Sequence, residues 1–495
     1  MAGKVLIIGG GVAGLSAGIY ARLNGYEAEI LEMHTRPGGQ CTAWKIKDYT
    51  FNYSLHWLVG SSHGAFHDIW RETGALDDRT GVIDLEDFAI IKAPGGEDLR
   101  IYSDIDRWED YLVGFAPEDL EAISSMCIDM RKASTLSIME KAPALRNPLD
   151  MIRFAIKSYP AMKVFVRCGR LSVKDYLVQL GFSNERLISA LLASVPSSNH
   201  FSSIAFLLTL AWFSRRNAGY PLGGSMAMTT RMFDRFRELG GVFSGGRKVE
   251  RILVQDHRVS GVQLEGGEEI HADRVVGACD LHAMIHGMLE GRYTSPELDT
   301  AFNEWPLFNP VVMVSFGIDR PVETECHTLH VLAPGQRIGS TVLESAFSVY
   351  NYNHDPLLTP PGKCIMQIYF DTPFALWEGM DDKEYKAEKG RISADAIRLL
   401  ESFYPGVSGH IEVIDVATPL TGIKYTGVWK GSYEGFMPAS VNMGKGIRNT
   451  IKGLDNFYLA GQWLFPGGGL PPSAQSGKWA IQMICHGDRK EFMVR

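Results

Sequence analysis

A chain of 495 residues exceeds what one compact core ordinarily holds, and a composition 45% hydrophobic and 21% charged excludes a disordered chain, so two or three folded lobes are expected. Forty-nine Lys plus Arg against 57 Asp plus Glu give a formal charge of −8, which excludes the global positive field that would hold nucleic acid. The seven cysteines, Cys41, Cys127, Cys168, Cys279, Cys326, Cys364 and Cys485, are scattered and never spaced Cys-x-x-Cys; a disulfide framework and a cysteine zinc site are disfavoured, and a reducing, cytoplasmic setting fits best.

The chain opens on Lys4 to Ile8, a β-branched and aliphatic run that predicts a strand, with no signal peptide before it. Gly9-Gly10-Gly11-Val12-Ala13-Gly14 follows, and then Leu15 to Asn24 with apolar residues at helical spacing. Strand, glycine turn and helix in that order form a dinucleotide fingerprint. Gly9 makes the turn, Gly11 lets backbone approach a pyrophosphate, and Gly14 lets helix meet strand. The free N–H groups of Val12, Ala13 and the rest of the first turn then face the phosphates. A second strand, Glu27 to Leu31, ends at Glu32, whose carboxylate can accept hydrogen bonds from the adenosine ribose, with Met33 next to it. No second fingerprint appears, so a separate nicotinamide domain is not expected.

Arg36-Pro37-Gly38-Gly39-Gln40 comes four residues later, and Gly461-Gln462-Trp463-Leu464-Phe465-Pro466-Gly467-Gly468-Gly469-Leu470-Pro471-Pro472-Ser473 closes the chain after a strand over Asn456 to Ala460. The first element resembles the arginine and double-glycine segment of the FAD oxidoreductases that include amine oxidases, protoporphyrinogen oxidases and phytoene desaturases. The second resembles the flavin-binding ending of phytoene desaturases and carotenoid isomerases. Two departures stand out: Gln40 replaces a usual base, and Gln462 a frequent acid. The resemblance implies noncovalent FAD, its phosphates near Arg36, Gly38, Gly39 and Gln40, its adenine at the main chain of Val249, its ribityl chain at Gln462, and its ring against Gly461, Gly469 and Leu470. A helix beginning near Ser473 would aim its amides at the ring edge where negative charge collects on reduction. The implied fold class is α/β, a Rossmann-type, glutathione-reductase-like FAD-binding domain with an inserted α+β substrate domain carrying a mixed or antiparallel sheet and a helical cap.

On that basis the cofactor lobe is discontinuous: residues 1–75, 220–290 and 445–495. The inserts, 76–219 and 291–444, form the substrate lobe. The first reads mostly as helix, with Ser103 as an N-cap; in the second, Val311 to Ile318, Thr341 to Tyr350 and Cys364 to Phe370 predict an antiparallel sheet. No apolar run reaches the length of a membrane span; the longest lies around Ile204 to Phe213. Between Met151 and Lys174, six bases and no acids alternate with bulky apolar residues, a pattern that fits a segment lying in a lipid interface at the inner face of a membrane.

Catalytic candidates are few, as hydride chemistry demands mainly orientation and a dry site. His56 is the first, as a proton donor or acceptor facing the flavin, and Tyr425 the second, with Tyr433 beside it. His282 with His286 and His63 with His67 stand one helical turn apart but lack a carboxylate pattern, so no metal is expected. The resemblance implies an FAD-dependent oxidoreductase exchanging hydride with a long apolar substrate, a carotenoid-like polyene or related lipid, with desaturation, saturation and isomerisation left open. An amine or porphyrinogen oxidase, and a non-catalytic lipid or prenyl-protein carrier of the same fold, are the alternatives.

Overall fold

A computed structural model describes residues 3–93, 96–195 and 200–494. Strand β1 (Lys4–Ile8) buries its four apolar residues, and helix α1 (Val12–Leu23) follows. Strand β2 (Glu27–Glu32) then runs parallel to β1, pairing Lys4 with Glu27 through Ile8 with Leu31. After several short strands and a helix, strands β3 (Asp87–Lys92) and β4 (Leu99–Tyr102) lead into the helices of the first insert. Among these are α2 (Pro148–Lys157) and α3 (Tyr159–Cys168). Helix α4 (Gly224–Glu238) leads into β5 (Val242–Gly245), β6 (Val249–Gln255) and β7 (Arg274–Gly277). The second insert supplies β8 (Val311–Ile318), β9 (Thr328–Leu332), β10 (Ala346–Asn351), β11 (Cys364–Asp371), β12 (Ile411–Ala417) and α5 (Pro419–Thr426). Strand β13 (Phe457–Leu459) and helix α6 (Leu470–Gly487) complete the chain.

Two sheets organise the molecule. The first, in the order β5-β2-β1-β7-β13, is parallel throughout and joins strands from the start, middle and end of the chain. Parallel strands need covered faces, and α1 with α6 covers one of them. Helix α1 is buried over almost its whole surface, which is why it reads as nearly continuous apolar and small residues. The contact with α6 is close because both partners are small there: a Cβ on Gly477 would collide with the carbonyl of Ala13, and Ser16 Oγ donates to the Ala474 carbonyl at 2.6 Å.

The second sheet has seven strands in the order β12-β8-β11-β10-β9-β3-β4. All its pairings are antiparallel except β9 with β3, which run parallel. The first insert is therefore not helix alone, since β3 and β4 extend the sheet of the second. The helix after β4 is capped by Asp104, whose carboxylate accepts the N–H groups of Asp106 and Arg107 at 2.9 Å, and not by Ser103, whose hydroxyl donates to Leu85 instead. A carboxylate is the stronger acceptor for first-turn amides and also complements the helix dipole. Among the described residues no helix is long and apolar enough to cross a membrane.

Candidate active site

The glycine turn between β1 and α1 is shaped by backbone contacts. Gly9 has φ +103°, and a Cβ there would lie 2.9 Å from the Ala278 carbonyl; a Cβ on Gly14 would collide with the Gly9 carbonyl. Gly11 differs from both. Its φ of −73° and ψ of −177° suit any residue, and an added Cβ would meet nothing closer than 3.9 Å, at Gly38 and Gly39. The space beside Gly11 is an open cradle, bounded opposite by the double glycine, where Gly38 N–H donates to the Gly10 carbonyl at 2.8 Å.

Helix N-termini reinforce the point. Helices starting after Asp104, Asn147, Ser172 and Asp381 carry side-chain caps; α1 and α6, beginning at Gly11 and Gly469, have none, as is also true of α3 and α4, but they alone of these adjoin each other at the glycine turn. Two adjacent helices thus leave first-turn amides to a ligand, a setting that favours anionic groups. In α6, Pro471 and Pro472 have no N–H, so Leu470 is the donor of that turn. The helix starts at Leu470 and not near Ser473, because prolines fit the first turn of a helix without loss. Ser473 consequently sits one turn inside, its hydroxyl donating to the Gly469 carbonyl at 2.6 Å. Behind it, Gly461 N–H donates to Ser476 Oγ at 2.9 Å, and half-buried Gln462 begins a short turn.

Glu32 is 7% exposed at the end of β2; its carboxylate accepts Gly10 N–H at 2.6 Å and His34 N–H at 2.9 Å. Burial raises its pKa while those two amides pull it back. Arg247 N–H donates to the Glu32 carbonyl at 2.8 Å, which brings buried Val249 beside the same strand end. Met33 and Arg36 lie at the surface here, and Gln40 is half-buried. The motifs therefore converge on one groove running from the end of β2, past the cradle at Gly11, Val12 and Ala13, to the start of α6. Glycine-lined space, uncapped helix ends and a buried acceptor fit an extended dinucleotide such as FAD.

A second group of polar residues sits on the seven-stranded sheet. His56 stacks on Tyr350 with ring centroids 4.1 Å apart, approaches the Tyr352 hydroxyl with Nδ1 at 3.2 Å, and meets Tyr369 edge-on at 5.1 Å. Burial, and then nearby His330, push its pKa down to about 3, so the imidazole is neutral at ordinary pH. Tyr433 belongs to the same neighbourhood: after burial, the charges of Asp371, Glu434 and Tyr350 hold its phenol well above the usual range. Tyr425 lies apart from this group, half exposed on α5 with its ring edge against His34 at 5.7 Å. Tyr350 and Tyr352 share one face of an extended segment, a period-two signal legible in the sequence; Asp371 and Glu434 carry no such signal. His282 and His286 also meet, at 4.5 Å, but His282 stacks on Trp429 at 4.3 Å, and the described residues contain no group of three or more side chains able to hold a metal.

Comparison with known proteins agrees with this geometry. The model of the family described as "Flavin containing amine oxidoreductase" matches residues 12–482. The chain belongs to that family. It is an FAD-dependent oxidoreductase with the fold of that family's oxidases. Among similar proteins, the chloroplastic prolycopene isomerase of Arabidopsis thaliana is 24% identical over 97% of this chain and 82% of its own length. The lycopene-forming phytoene desaturase of Pseudescherichia vulneris is 23% identical over 97% of this chain and 99% of its own. Among solved structures, cyclohexylamine oxidase from Brevibacterium oxydans superposes with a TM-score of 0.61 at 15% identity, covering 99% of this chain and 100% of that one.

Proposed function

We propose that this flavoenzyme exchanges hydride with a carbon of a long apolar substrate, a carotenoid-like polyene or related lipid, and so desaturates, saturates or isomerises C=C bonds. The observation that carries the reading is the aromatic cluster at Tyr350, Tyr352, Tyr369 and His56: none of its members is ion-paired among the described residues, and its histidine is neutral. Such surroundings orient an apolar reactant and exclude water, which is what hydride exchange requires of a protein. Relatives named for phytoene desaturation and prolycopene isomerisation, matched along nearly the whole chain, support it.

FAD, when bound, supplies a two-electron centre for that exchange. Residues 1–75, 220–290 and 445–495 would form its lobe and hold it noncovalently. The first-turn amides of α1, with Gly9, Gly11, Val12, Ala13 and Gly14, would bind the diphosphate together with Gly38, Gly39 and the nearby Arg36 and Gln40. Glu32 and Met33 would border the adenosine ribose, Val249 the adenine, and Gln462 the ribityl chain. Gly461, Gly469 and Leu470 would meet the ring, with Ser473 holding the turn. His56, being neutral, would orient the substrate through its hydrogen bond with Tyr352; Tyr425, half exposed against His34 and apart from that cluster, would take no part in the exchange. The test is anaerobic mixing of the purified yellow protein with C40 polyenes and, separately, with an amine panel. Change of the flavin spectrum by polyenes alone supports the reading; amine-dependent bleaching and hydrogen peroxide release would replace it with an amine oxidase.

The lipid interface adds to this reading. Helix α2 has no buried residue, and Leu149 is 63%, Ile156 72% and Val166 85% exposed on α2 and α3. Apolar side chains this exposed beside Arg153, Lys157, Lys163 and Arg170 fit an anionic membrane surface, from which an apolar substrate would be drawn. Arg167 does not share that role, since it pairs with buried Asp129. Flotation with anionic vesicles, reversed by high salt, is the expected result.

A further inference from the structure

Several buried acids of this protein are engaged by backbone amides. Glu32 accepts two amides, Asp280 accepts the N–H groups of Ala283 and Trp429, and Asp355 accepts Gly223 N–H and the Tyr220 hydroxyl. Glu434 differs: half-buried, its carboxylate has neither a hydrogen bond nor an ion pair among the described residues. Its position is fixed nonetheless. Gly467 N–H donates to the Phe436 carbonyl at 2.8 Å, Trp463 packs on Gly435, and a Cβ on Gly468 would collide with the Glu434 carbonyl. At Gly469, which begins α6, a Cβ would sit 3.2 Å from Glu434 Oε1. The carboxyl is thus turned toward the uncapped end of the helix assigned above to the flavin ring.

We propose that Glu434 is the proton-exchanging group of the reaction, serving the substrate carbon next to the one that exchanges hydride; the assignment rests on the flavin reading above. In a desaturation, one carbon gives up hydride with its electron pair to the bound FAD. The neighbouring C–H bond releases its proton to the Glu434 carboxylate, and its electron pair becomes the new π bond. Saturation runs the same exchange backward, with the protonated acid as donor. Burial pushes the Glu434 carboxyl up to about 7, so both protonation states are available at neutral pH. Tyr433 precedes it on the same segment and in turn faces Asp371 at the end of β11 and Tyr350 on β10; Gly467, Gly468 and Gly469 contribute no titratable group. Asp371 is also raised to about 7 and also unpartnered, but it ends the interior strand β11 of the substrate sheet and is not among the atoms that a Cβ on Gly469 would meet first, which makes it the natural control.

The experiment uses purified FAD-loaded wild type, Glu434→Gln and Asp371→Asn. Visible flavin absorption is followed from pH 5 to 9, and the rate of flavin reduction is then measured with a C40 polyene. An inflection near pH 7 is expected in the wild type and in Asp371→Asn and absent from Glu434→Gln, with the reduction rate of Glu434→Gln lowered by about 10²–10⁴-fold, the usual scale for a lost general acid or base. An inflection that survives in Glu434→Gln, that vanishes only in Asp371→Asn, or that the wild type lacks, overturns the assignment. If Glu434→Gln does not retain FAD, Glu434→Asp, which withdraws the carboxyl by one methylene, must displace the inflection, and an unmoved inflection overturns the proposal. The two readings fail separately. If the spectrum titrates as expected while no polyene reduces the flavin, the substrate class is wrong and the carboxyl's place at the ring stands.

Discussion

Gly11 separates ligand binding from folding more cleanly than any other position in the groove. A Cβ there meets no atom within 3.9 Å, and a φ of −73° with an extended ψ is a conformation that β-branched residues adopt without strain. Gly11→Val therefore costs the protein fold little, within about 0.5 kcal/mol of the unliganded wild type. Its methyl groups nevertheless occupy the cradle between the α1 terminus and Gly38. Displacing a diphosphate from two backbone amides forfeits about 3–6 kcal/mol at the usual 1.5–3 kcal/mol for each charge-assisted hydrogen bond. FAD affinity should then fall by roughly two to four orders of magnitude. The assay is twofold: flavin content and FAD titration by calorimetry, beside the urea midpoint of protein stripped of FAD. A Gly11→Val protein that retains stoichiometric FAD refutes the cradle. One that loses FAD only because the unliganded fold has collapsed refutes the claim that the space belongs to the ligand.

Three further outcomes rest on the packing of other elements. Gly477→Ala drives a methyl into the Ala13 carbonyl and the α1 backbone, so the helices must part; a loss of about 1–3 kcal/mol in the urea midpoint is expected, with weaker FAD retention, and unchanged stability would refute the close contact. His330 is pushed by burial down to about 4, so above pH 6.5 it is neutral folded or unfolded, and below that only the unfolded chain binds the proton. Stability should thus fall by about 2 kcal/mol between pH 7 and pH 5 on its account, and His330→Gln, which can keep a hydrogen bond to Ser348, should flatten that part of the profile. Ile152→Asp with Ile156→Asp, 54% and 72% exposed on α2, should leave the thermal midpoint unchanged and abolish flotation with anionic vesicles; retained flotation would remove the lipid contact.

What the sequence discloses, and what it hides, follows the range of the interactions involved. Lys4–Ile8, the glycine turn and the strand ending at Glu32 are legible because each is fixed by local chemistry: branched strand residues, a turn that excludes a Cβ, an acid at a strand end. The start of α6 is misjudged by three residues because Pro471 and Pro472 read as loop, although the first turn of a helix tolerates both. Strands β3 and β4 are hidden for another reason. Strand β4 pairs only with β3, and the partner that joins β3 to the sheet, β9, lies more than two hundred residues away, pairing Leu329 with Ile90, a distance that no local pattern announces. Ser103 and Asp104 are neighbours with equal capping credentials, and only the hydrogen bonds separate them.

Glu434 marks the limit of that kind of reading. In sequence it sits in a Ser-Tyr-Glu-Gly run whose neighbours suit a backbone segment beside the cofactor, and nothing there sets it apart from a surface acid. Its distinction is an unpartnered carboxyl set against Gly469 at the start of α6, a placement that exists only once Gly467 to Gly469 have folded over it. Leaving a buried carboxyl unsatisfied costs a protein stability, typically about 1–3 kcal/mol or more for a charged group. Glu32 and Asp280, each 7% exposed and so more deeply buried, receive amides that remove that cost. Replacing Glu434 with a group that needs no partner should therefore stabilise the unliganded protein. If Glu434→Leu raises the urea midpoint while slowing flavin reduction, the isolated carboxyl is kept for chemistry at the expense of stability. If Glu434→Leu destabilises the protein instead, the side chain has a structural partner and its isolation is not the reason it is there.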